Sequence, residues 1–209
     1  MLDYEKRDFP KITVILRGYT YDQVHCVVEQ MIHTKLQAIE VAMNTPNATE
    51  IISNIQNEFG NDILVGAGTV TSVDRAKKAA KAGARFMLSP IAFNSEIFNI
   101  CKNSGILTVP SGFTPSEIWK MFEMGADIVK VFPAIDLEPR YFSDIQAPLD
   151  AMPLMVVGGV NANNVQQFFE AGASFAGIGS GIFNKADILS MNKEALKNSI
   201  KEFETKVSL

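Results

Sequence analysis

The chain has few of the residues from which metal, redox and disulfide sites are built. Its 209 residues include only two cysteines and two histidines. Cys26 and Cys101 each lie beside apolar residues in a predicted helix, without a CxxC pair, which predicts reduced and packed thiols. His25 and His33 both fall in the first predicted helix, and no acidic cluster has ligand spacing on neighbouring strand ends. The sequence therefore predicts neither a metal site nor a cofactor.

Long apolar runs and an excess of charge of one sign are also missing. No stretch approaches ~20 apolar residues, and the N-terminal MLDYEKRDFPK alternates charges where a targeting segment has a basic start and an apolar run. The 19 Lys and Arg residues are scattered through a chain of net charge -4, which excludes a nucleic-acid-binding stripe and a polybasic membrane patch. We expect a cytoplasmic protein with a small-molecule partner and no nucleic-acid or membrane partner.

Eight short apolar runs recur along the chain, with helical patterns between them. Successive runs begin 20 to 26 residues apart, about the length of one strand-helix unit. The chain is long enough for one sizeable core and too short for a second. We therefore predict an α/β fold, a (β/α)8 TIM barrel that forms a single domain over residues 1–209. The predicted strands are 12–17, 38–43, 63–68, 86–90, 106–110, 128–133, 154–159 and 175–179.

Glycine-containing motifs predict where several helices end, at 82–84, 124–126 and 171–173. A final helix over 191–207 is expected to complete the outer ring, and the first ten or so residues are expected to cover the barrel bottom. A doubly wound open sheet is the second choice, because the first predicted strand ends in Leu-Arg-Gly-Tyr and lacks a Gly-rich phosphate fingerprint.

In a TIM barrel, polar residues at the carboxyl ends of the strands face the active-site mouth. The strand ends therefore define the candidate site residues. They are Arg17, Glu40, Asn44, Thr69, Ser89, Ser111, Thr114 and Lys130.

Lys130 is the strongest candidate for a catalytic residue. Its neighbours Val129 and Val131 must pack against the helices, so the lysine is predicted to face the lumen. Apolar walls disfavour the ammonium and lower its pKa, which leaves a neutral amine able to attack a ketone and form an iminium. The alternative interpretation is a strand-end lysine that reaches water or pairs with a carboxylate for structural reasons.

Glu40 shares the inward face of its predicted strand with Ala38 and Ala42. A carboxylate near an apolar-walled lysine can move protons at a substrate hydroxyl and at an enamine carbon. The alternative is a buried ion pair with Lys130 or Arg17 that only holds geometry. Arg17 itself can clamp a substrate carboxylate with two hydrogen bonds, or form a salt bridge at the rim.

The third predicted strand contains two glycines before Thr69. Gly66 and Gly68 remove bulk from the lumen, where either a substrate or a neighbouring side chain can use the space. The two glycines are therefore consistent with substrate binding beside Thr69 and with simple packing of the barrel interior.

Glycines also follow the last two predicted strands, where TIM barrels commonly bind phosphate. Gly158, Gly159, Gly179 and Ser180 can expose backbone N–H groups without obstruction by side chains. A short helix beginning after Ser180 is expected to add the partial positive charge of its N-terminus. The alternative is a pair of tight turns.

The motifs ILRG, IEVAMNTP, VGAGTV, SP, TPSE, VKVFPA and VGGV, in this order over nearly the whole chain, resemble the 2-keto-3-deoxy-6-phosphogluconate (KDPG) aldolase family. That family consists of class I aldolases of the Entner-Doudoroff type, usually trimeric TIM barrels that release pyruvate and glyceraldehyde 3-phosphate. The resemblance implies a Schiff-base lysine at Lys130, a general acid/base at Glu40, a phosphorylated keto-acid substrate and a homotrimer. It also implies that the substrate contacts Arg17 and Thr69 at its keto-acid end, Asn44 and Pro90, and Gly158, Gly159, Gly179 and Ser180 around its phosphate.

Four positions depart from the usual pattern of the gluconate enzymes. Asn44 stands where those enzymes typically have Arg, and Val157 where they have Thr, which resembles the phosphogalactonate branch. Ser111 and Ile91 stand where the family commonly has Gly, and we expect both to narrow the pocket. Both C4 epimers, and the shorter 4-hydroxy-2-oxoglutarate, therefore remain candidate substrates.

Two other functions fit the same barrel. A phosphosugar isomerase or epimerase would share the phosphate loops, but it needs a second acid/base, and no second strand-end carboxylate is evident. A non-catalytic barrel that binds a phosphorylated sugar acid would need no reactive lysine. The combination of Lys130 with Glu40 favours the aldolase.

Overall fold

Eight parallel strands alternate with helices in the computed structural model, which describes residues 9–208. The strands are β1 (Ile12–Leu16), β2 (Ala38–Ala42), β3 (Leu64–Gly68), β4 (Phe86–Leu88), β5 (Leu107–Val109), β6 (Val129–Val131), β7 (Leu154–Val157) and β8 (Phe175–Ile178). The helices are α1 (Tyr21–Met31), α2 (Ala48–Phe59), α3 (Val73–Lys81), α4 (Ser95–Ser104), α5 (Pro115–Glu123), α6 (Tyr141–Leu149), α7 (Val165–Glu170), α8 (Lys185–Leu189) and α9 (Lys193–Lys206). Each strand lies within one of the eight predicted runs.

The two ends of the sheet meet between β5 and β6. The strand order is β5-β4-β3-β2-β1-β8-β7-β6, and Ser111 bridges to Lys130 across the gap. The Lys130 N–H donates to the Pro110 carbonyl at 2.8 Å, and the Gly112 N–H donates to the Lys130 carbonyl at 3.1 Å. These bonds close the sheet, so the predicted TIM barrel is confirmed and the open doubly wound alternative is wrong.

Strand residues alternate between two separate apolar cores, as the pleat requires. Ile39 and Val41 of β2 face outward into the layer between sheet and helices, whereas Ala38 of the same strand faces the lumen. The lumen is filled by bulky side chains such as Leu64 and Met155. The barrel interior is therefore a packed core beneath the mouth rather than a pore.

Phe9 closes the lower end of that inner core. Its ring lies edge-on to Phe86 and Phe175, with centroid distances of 5.2 and 5.4 Å. This arrangement agrees with the prediction that the start of the chain covers the barrel bottom. The rest of that predicted segment, residues 1–8, lies outside the described residues.

Three helices end where the glycine motifs predicted. Helices α3, α5 and α7 stop just before the three motifs, whose glycines Gly83, Gly125 and Gly172 have φ of 85°, 95° and 101°. The predicted last helix over 191–207 is α9, which begins two residues later because the Asn192 side chain caps it by accepting from the Ala195 N–H.

Both cysteines are free and buried, as predicted, in α1 and α4. Burial raises the pKa of Cys26 and raises that of Cys101 to about 12, so both thiols stay protonated at neutral pH. Within residues 9–208, no helix is both long and apolar enough to span a bilayer.

We predict that Gly66→Ala destabilises the barrel. Gly66 pairs with Phe86 in the β3–β4 register, and a Cβ at this position would overlap the buried Phe86 ring. Overpacking of this kind costs about 1–3 kcal/mol in the free energy of unfolding, which urea denaturation measures. The double variant Gly66→Ala/Phe86→Leu should lose less free energy of unfolding than the sum of the losses in the two single variants. Additive losses would show that the two side chains do not compete for this space.

Candidate active site

Lys130 points into the barrel from β6. Its side chain is 4% exposed, and its neighbours Val129 and Val131 are buried in the outer core. The Nζ atom lies 4.6 Å from the centroid of the Phe132 ring. The structure thus places the lysine in the lumen among apolar groups, as the strand alternation predicted.

Glu40 enters the lumen from β2 and is 1% exposed. Its carboxyl group occupies the space above Gly68, where any Cβ would overlap Oε1. Gly66 similarly leaves space for the ring of Phe86. Protein side chains fill both spaces, so the packing interpretation of the two glycines holds and neither creates room for a substrate.

Burial changes the protonation of both groups. Desolvation lowers the pKa of Lys130 to about 8, although the nearby Glu40 carboxylate favours the ammonium. Desolvation raises the pKa of Glu40, against the opposing effect of Lys130 and Arg17. The Glu40 Oε2 atom has no hydrogen-bond partner in the described part of the chain. Glu40 forms no direct ion pair there, so the site holds a buried amine and a buried carboxyl group whose neutral forms are both favoured by desolvation.

A cavity of about 540 Å³ opens at the carboxyl ends of β1, β6, β7 and β8. This volume suits a small ligand. Six predicted site residues line it: Arg17, Lys130, Gly158, Gly159, Gly179 and Ser180.

The part of the cavity wall that follows β7 and β8 is formed largely by backbone. Gly158 and Gly159 turn the chain after β7 with φ of 101° and 73°, conformations that favour glycine. The N–H groups of Gly159, Gly179 and Ser180 donate to no protein acceptor within residues 9–208. Free N–H groups at these loops are available to an anion.

The short helix predicted after Ser180 is present, but it begins too far along the chain for the predicted role at Ser180. Residues 180–183 form a turn, and α8 begins only at Lys185, where the Asn184 side chain caps it by accepting from the Ala186 N–H. With five residues it contributes no anion site at Ser180. The backbone N–H groups alone remain for that role.

The other predicted substrate residues are placed less uniformly. An Arg17 Nη2 donates to the Thr69 hydroxyl at 3.5 Å, so these two residues meet at the rim. Glu40 and Thr69 do not line the cavity themselves. Glu40 interacts electrostatically with Lys130, which does line it, and Thr69 is hydrogen-bonded to Arg17, which also lines it. Asn44 is exposed and Pro90 half-buried, and neither lines the cavity. Asn44 and Pro90 thus lie outside the cavity wall, and their contact with the substrate stays a prediction.

Three loop residues have structural positions that the sequence did not indicate. The Ser111 hydroxyl donates to the Lys130 carbonyl at 3.0 Å and belongs to the seam that closes the barrel. Ile91 is 52% exposed and does not line the cavity. Thr114 caps α5 by accepting from the Glu117 N–H. The expectation that Ser111 and Ile91 narrow the pocket is wrong, because one lies in the seam and the other faces solvent.

Several lining residues were not predicted, and they include Tyr19, Phe132, Asn161 and Lys185. Phe132 follows Lys130 by two residues, so strand alternation already placed it on the inward side. Lys185 lies in the segment after β8, where the glycine pattern indicates only backbone N–H donors. Because Lys185 lies well beyond the end of β8, the pattern of polar residues at strand ends does not indicate it.

The family model for the KDPG and KHG aldolases matches residues 5–198. The 2-dehydro-3-deoxy-6-phosphogalactonate aldolase of Escherichia coli (strain K12) is 30% identical over 173 residues, which cover 82% of this chain and 84% of that protein.

Two solved structures are similar over 95% of this chain, each at 27% identity. One is described as a native KDPGal structure, with a TM-score of 0.80 and 96% of that chain covered. The other is a cube-shaped protein cage designed by fusing symmetric oligomeric domains, with a TM-score of 0.83 and 73% of that chain covered.

We predict that Lys130 titrates near pH 8 and that Glu40→Gln lowers its pKa further. Below this pH the ammonium dominates and above it the neutral amine, and loss of the carboxylate removes the charge that favours the ammonium. Competitive acetylation from about pH 6 to pH 11, read by peptide mass mapping, measures the titration. Lys197, exposed on α9, is the internal control. An unchanged or raised Lys130 pKa in the variant would contradict the coupling.

Proposed function

The chain belongs to the KDPG and KHG aldolase family, and from that premise we propose how this site acts and on what. The proposed substrate is 2-keto-3-deoxy-6-phosphogluconate or its C4 epimer, the phosphogalactonate, and the products are pyruvate and glyceraldehyde 3-phosphate. One observation supports this most directly: a single buried lysine with a pKa of about 8 lines the cavity, electrostatically coupled to a buried carboxyl group.

The reaction begins when the neutral Lys130 amine attacks the C2 ketone. Loss of water from the resulting carbinolamine leaves an iminium between Nζ and C2. The apolar surroundings favour the neutral amine that this step needs, since they lower the pKa of Lys130.

Cleavage follows from the iminium. Glu40 removes the proton of the C4 hydroxyl, the C3–C4 electron pair moves toward the iminium, and the aldehyde leaves as an enamine forms. Glu40 then returns a proton to C3, and water hydrolyses the new iminium to release pyruvate. A carboxyl group whose pKa is raised by burial suits both directions of proton transfer.

The two ends of the substrate are held by different groups. We assign the carboxylate of the keto acid to Arg17, which donates to Thr69 and lines the cavity. The phosphate is assigned to the free N–H groups around Gly158, Gly159, Gly179 and Ser180. Val157 presents an apolar surface to the same cavity. Parallel assays with both C4 epimers and with 4-hydroxy-2-oxoglutarate decide the preferred substrate.

Borohydride reduction in the presence of pyruvate should leave one stable adduct on Lys130. Reduction converts the iminium to a secondary amine, which intact-mass measurement and peptide mapping locate. Glu40→Gln should retain the adduct and lose about a hundredfold or more in cleavage rate, because it lacks only the proton transfer.

Lys130→Met is the matched control, since it keeps the length and apolar stem of the lysine. It should remain folded, form no adduct and cleave no substrate. An adduct on a different lysine, or turnover by this variant, would overturn the mechanism.

We propose that the chain assembles as a homotrimer through an apolar patch formed by Ile91, Phe113, Trp119 and Ile135. These side chains are 52%, 39%, 45% and 68% exposed. They lie on α5 and on the loops after β4, β5 and β6, which are neighbours around the barrel. Exposed apolar residues concentrated in one region mark protein interfaces, and Trp is enriched at their centres. The related designed cage uses symmetric oligomeric domains.

Light scattering should give a solution mass three times that of the 22.9 kDa chain. Trp119→Glu should shift the mass toward the single chain, because it buries an unpaired charge in the apolar patch. Leu189→Glu, at a residue 49% exposed on α8, is the control and should leave the mass unchanged. If only the control dissociated, the interface would lie elsewhere.

A further inference from the structure

Positive charge is concentrated in the cavity. Arg17, Lys130 and Lys185 line it, and no Asp or Glu is among its described lining residues. The chain as a whole has a net charge of -4, so the local excess of cations is a property of the site. A cleft lined by one sign of charge favours ligands of the opposite sign.

Two of these cations already have roles or partners. Arg17 donates to Thr69, and Lys130 is the buried amine. Lys185 is exposed, and its ammonium forms no ion pair or hydrogen bond within residues 9–208. Lys193, on the next helix, instead pairs with Glu29 at 2.8 Å. The Lys185 charge is therefore free to meet a ligand.

The backbone that holds Lys185 is anchored beside the phosphate loops. Gly181 packs so closely against Val160 and Asn161 of the preceding loop that any Cβ there would overlap them. Phe183 is buried at 4% exposure, and the Asn184 side chain caps the turn that follows. These contacts fix the start of the Lys185 side chain at the cavity wall, while its flexible stem lets the ammonium reach inward.

The free N–H groups at the same end are dipoles without net charge. A phosphate monoester carries almost two negative charges at neutral pH, and a lysine binds phosphate as a point charge. Among the described cations that line the cavity, only Lys185 belongs to the β8 segment that also supplies Gly179 and Ser180. A cation at this position discriminates a phosphorylated substrate from its alcohol.

We propose that Lys185 is a specificity-determining residue that supplies the positive charge to the phosphate end of the substrate. The inference rests on the proposed function, since it assumes that the phosphate binds at the N–H groups of Gly159, Gly179 and Ser180. It adds a side chain to a subsite otherwise made of backbone.

Lys185→Ala should raise KM for the phosphorylated keto acid about tenfold and leave kcat nearly unchanged, because a hydrogen bond to a charged group is lost far from the reacting carbon. For the unphosphorylated 2-keto-3-deoxy acid, kcat/KM should not change. Lys185→Arg should restore most of the affinity. Lys197→Ala, which removes the same charge on α9, should behave as the wild type with both substrates.

If Lys185→Ala lost kcat/KM equally on both substrates, or on neither, the role of Lys185 would be overturned while the aldolase proposal stayed intact. If the wild type cleaved neither substrate, the proposed function would fail separately. Titration with inorganic phosphate, followed by ³¹P NMR, tests Lys185 in that case too: the Kd should rise about tenfold in Lys185→Ala. An unchanged Kd would overturn the inference.

Discussion

The burial of Lys130 and Glu40 in one lumen is the constraint on which the rest of the site depends. Two fully ionised groups in an apolar interior would each cost several kcal/mol in desolvation. The protein limits this cost because burial shifts both pKa values toward the neutral forms. The same shifts leave an amine ready for attack and a carboxyl ready for proton transfer. Gly68 belongs to this arrangement, because the Glu40 carboxyl occupies the space that a side chain would fill.

The position of Lys130 is tied to the closure of the barrel. Its N–H donates to Pro110, and its carbonyl accepts from the Gly112 N–H and the Ser111 hydroxyl. These bonds join the first and last strands of the hydrogen-bonded order, so the lysine backbone lies where the sheet is closed. A reactive side chain on a hydrogen-bonded strand holds its position better than one on a loop. The bonds that close the barrel thus also fix the backbone of the proposed Schiff-base lysine.

The cavity has an apolar part around the Lys130 amine and a polar part that can bind the anionic ends of a ligand. Apolar packing surrounds the amine, whereas backbone N–H groups and the cations Arg17 and Lys185 lie toward the rim. An elongated dianion or trianion can then be held at both ends while its central carbons stay near Lys130. Binding at the ends of a substrate contributes to the rate because it orients the reacting bond. The charge distribution therefore explains why a chain with an overall negative charge can accept an acidic substrate.

The sequence by itself determined the eight strands, the glycine stops of three helices and the inward direction of Lys130 and Glu40, because strand alternation is a local property with a period of two. Only the tertiary structure decided which loop residues meet. Asn44 follows a strand end and still lies outside the cavity, Ser111 closes the seam, and Lys185 reaches the site from beyond the strand end. The physical reason is that periodicity encodes the direction of a side chain, whereas distances across a barrel depend on how the strands close and the loops pack.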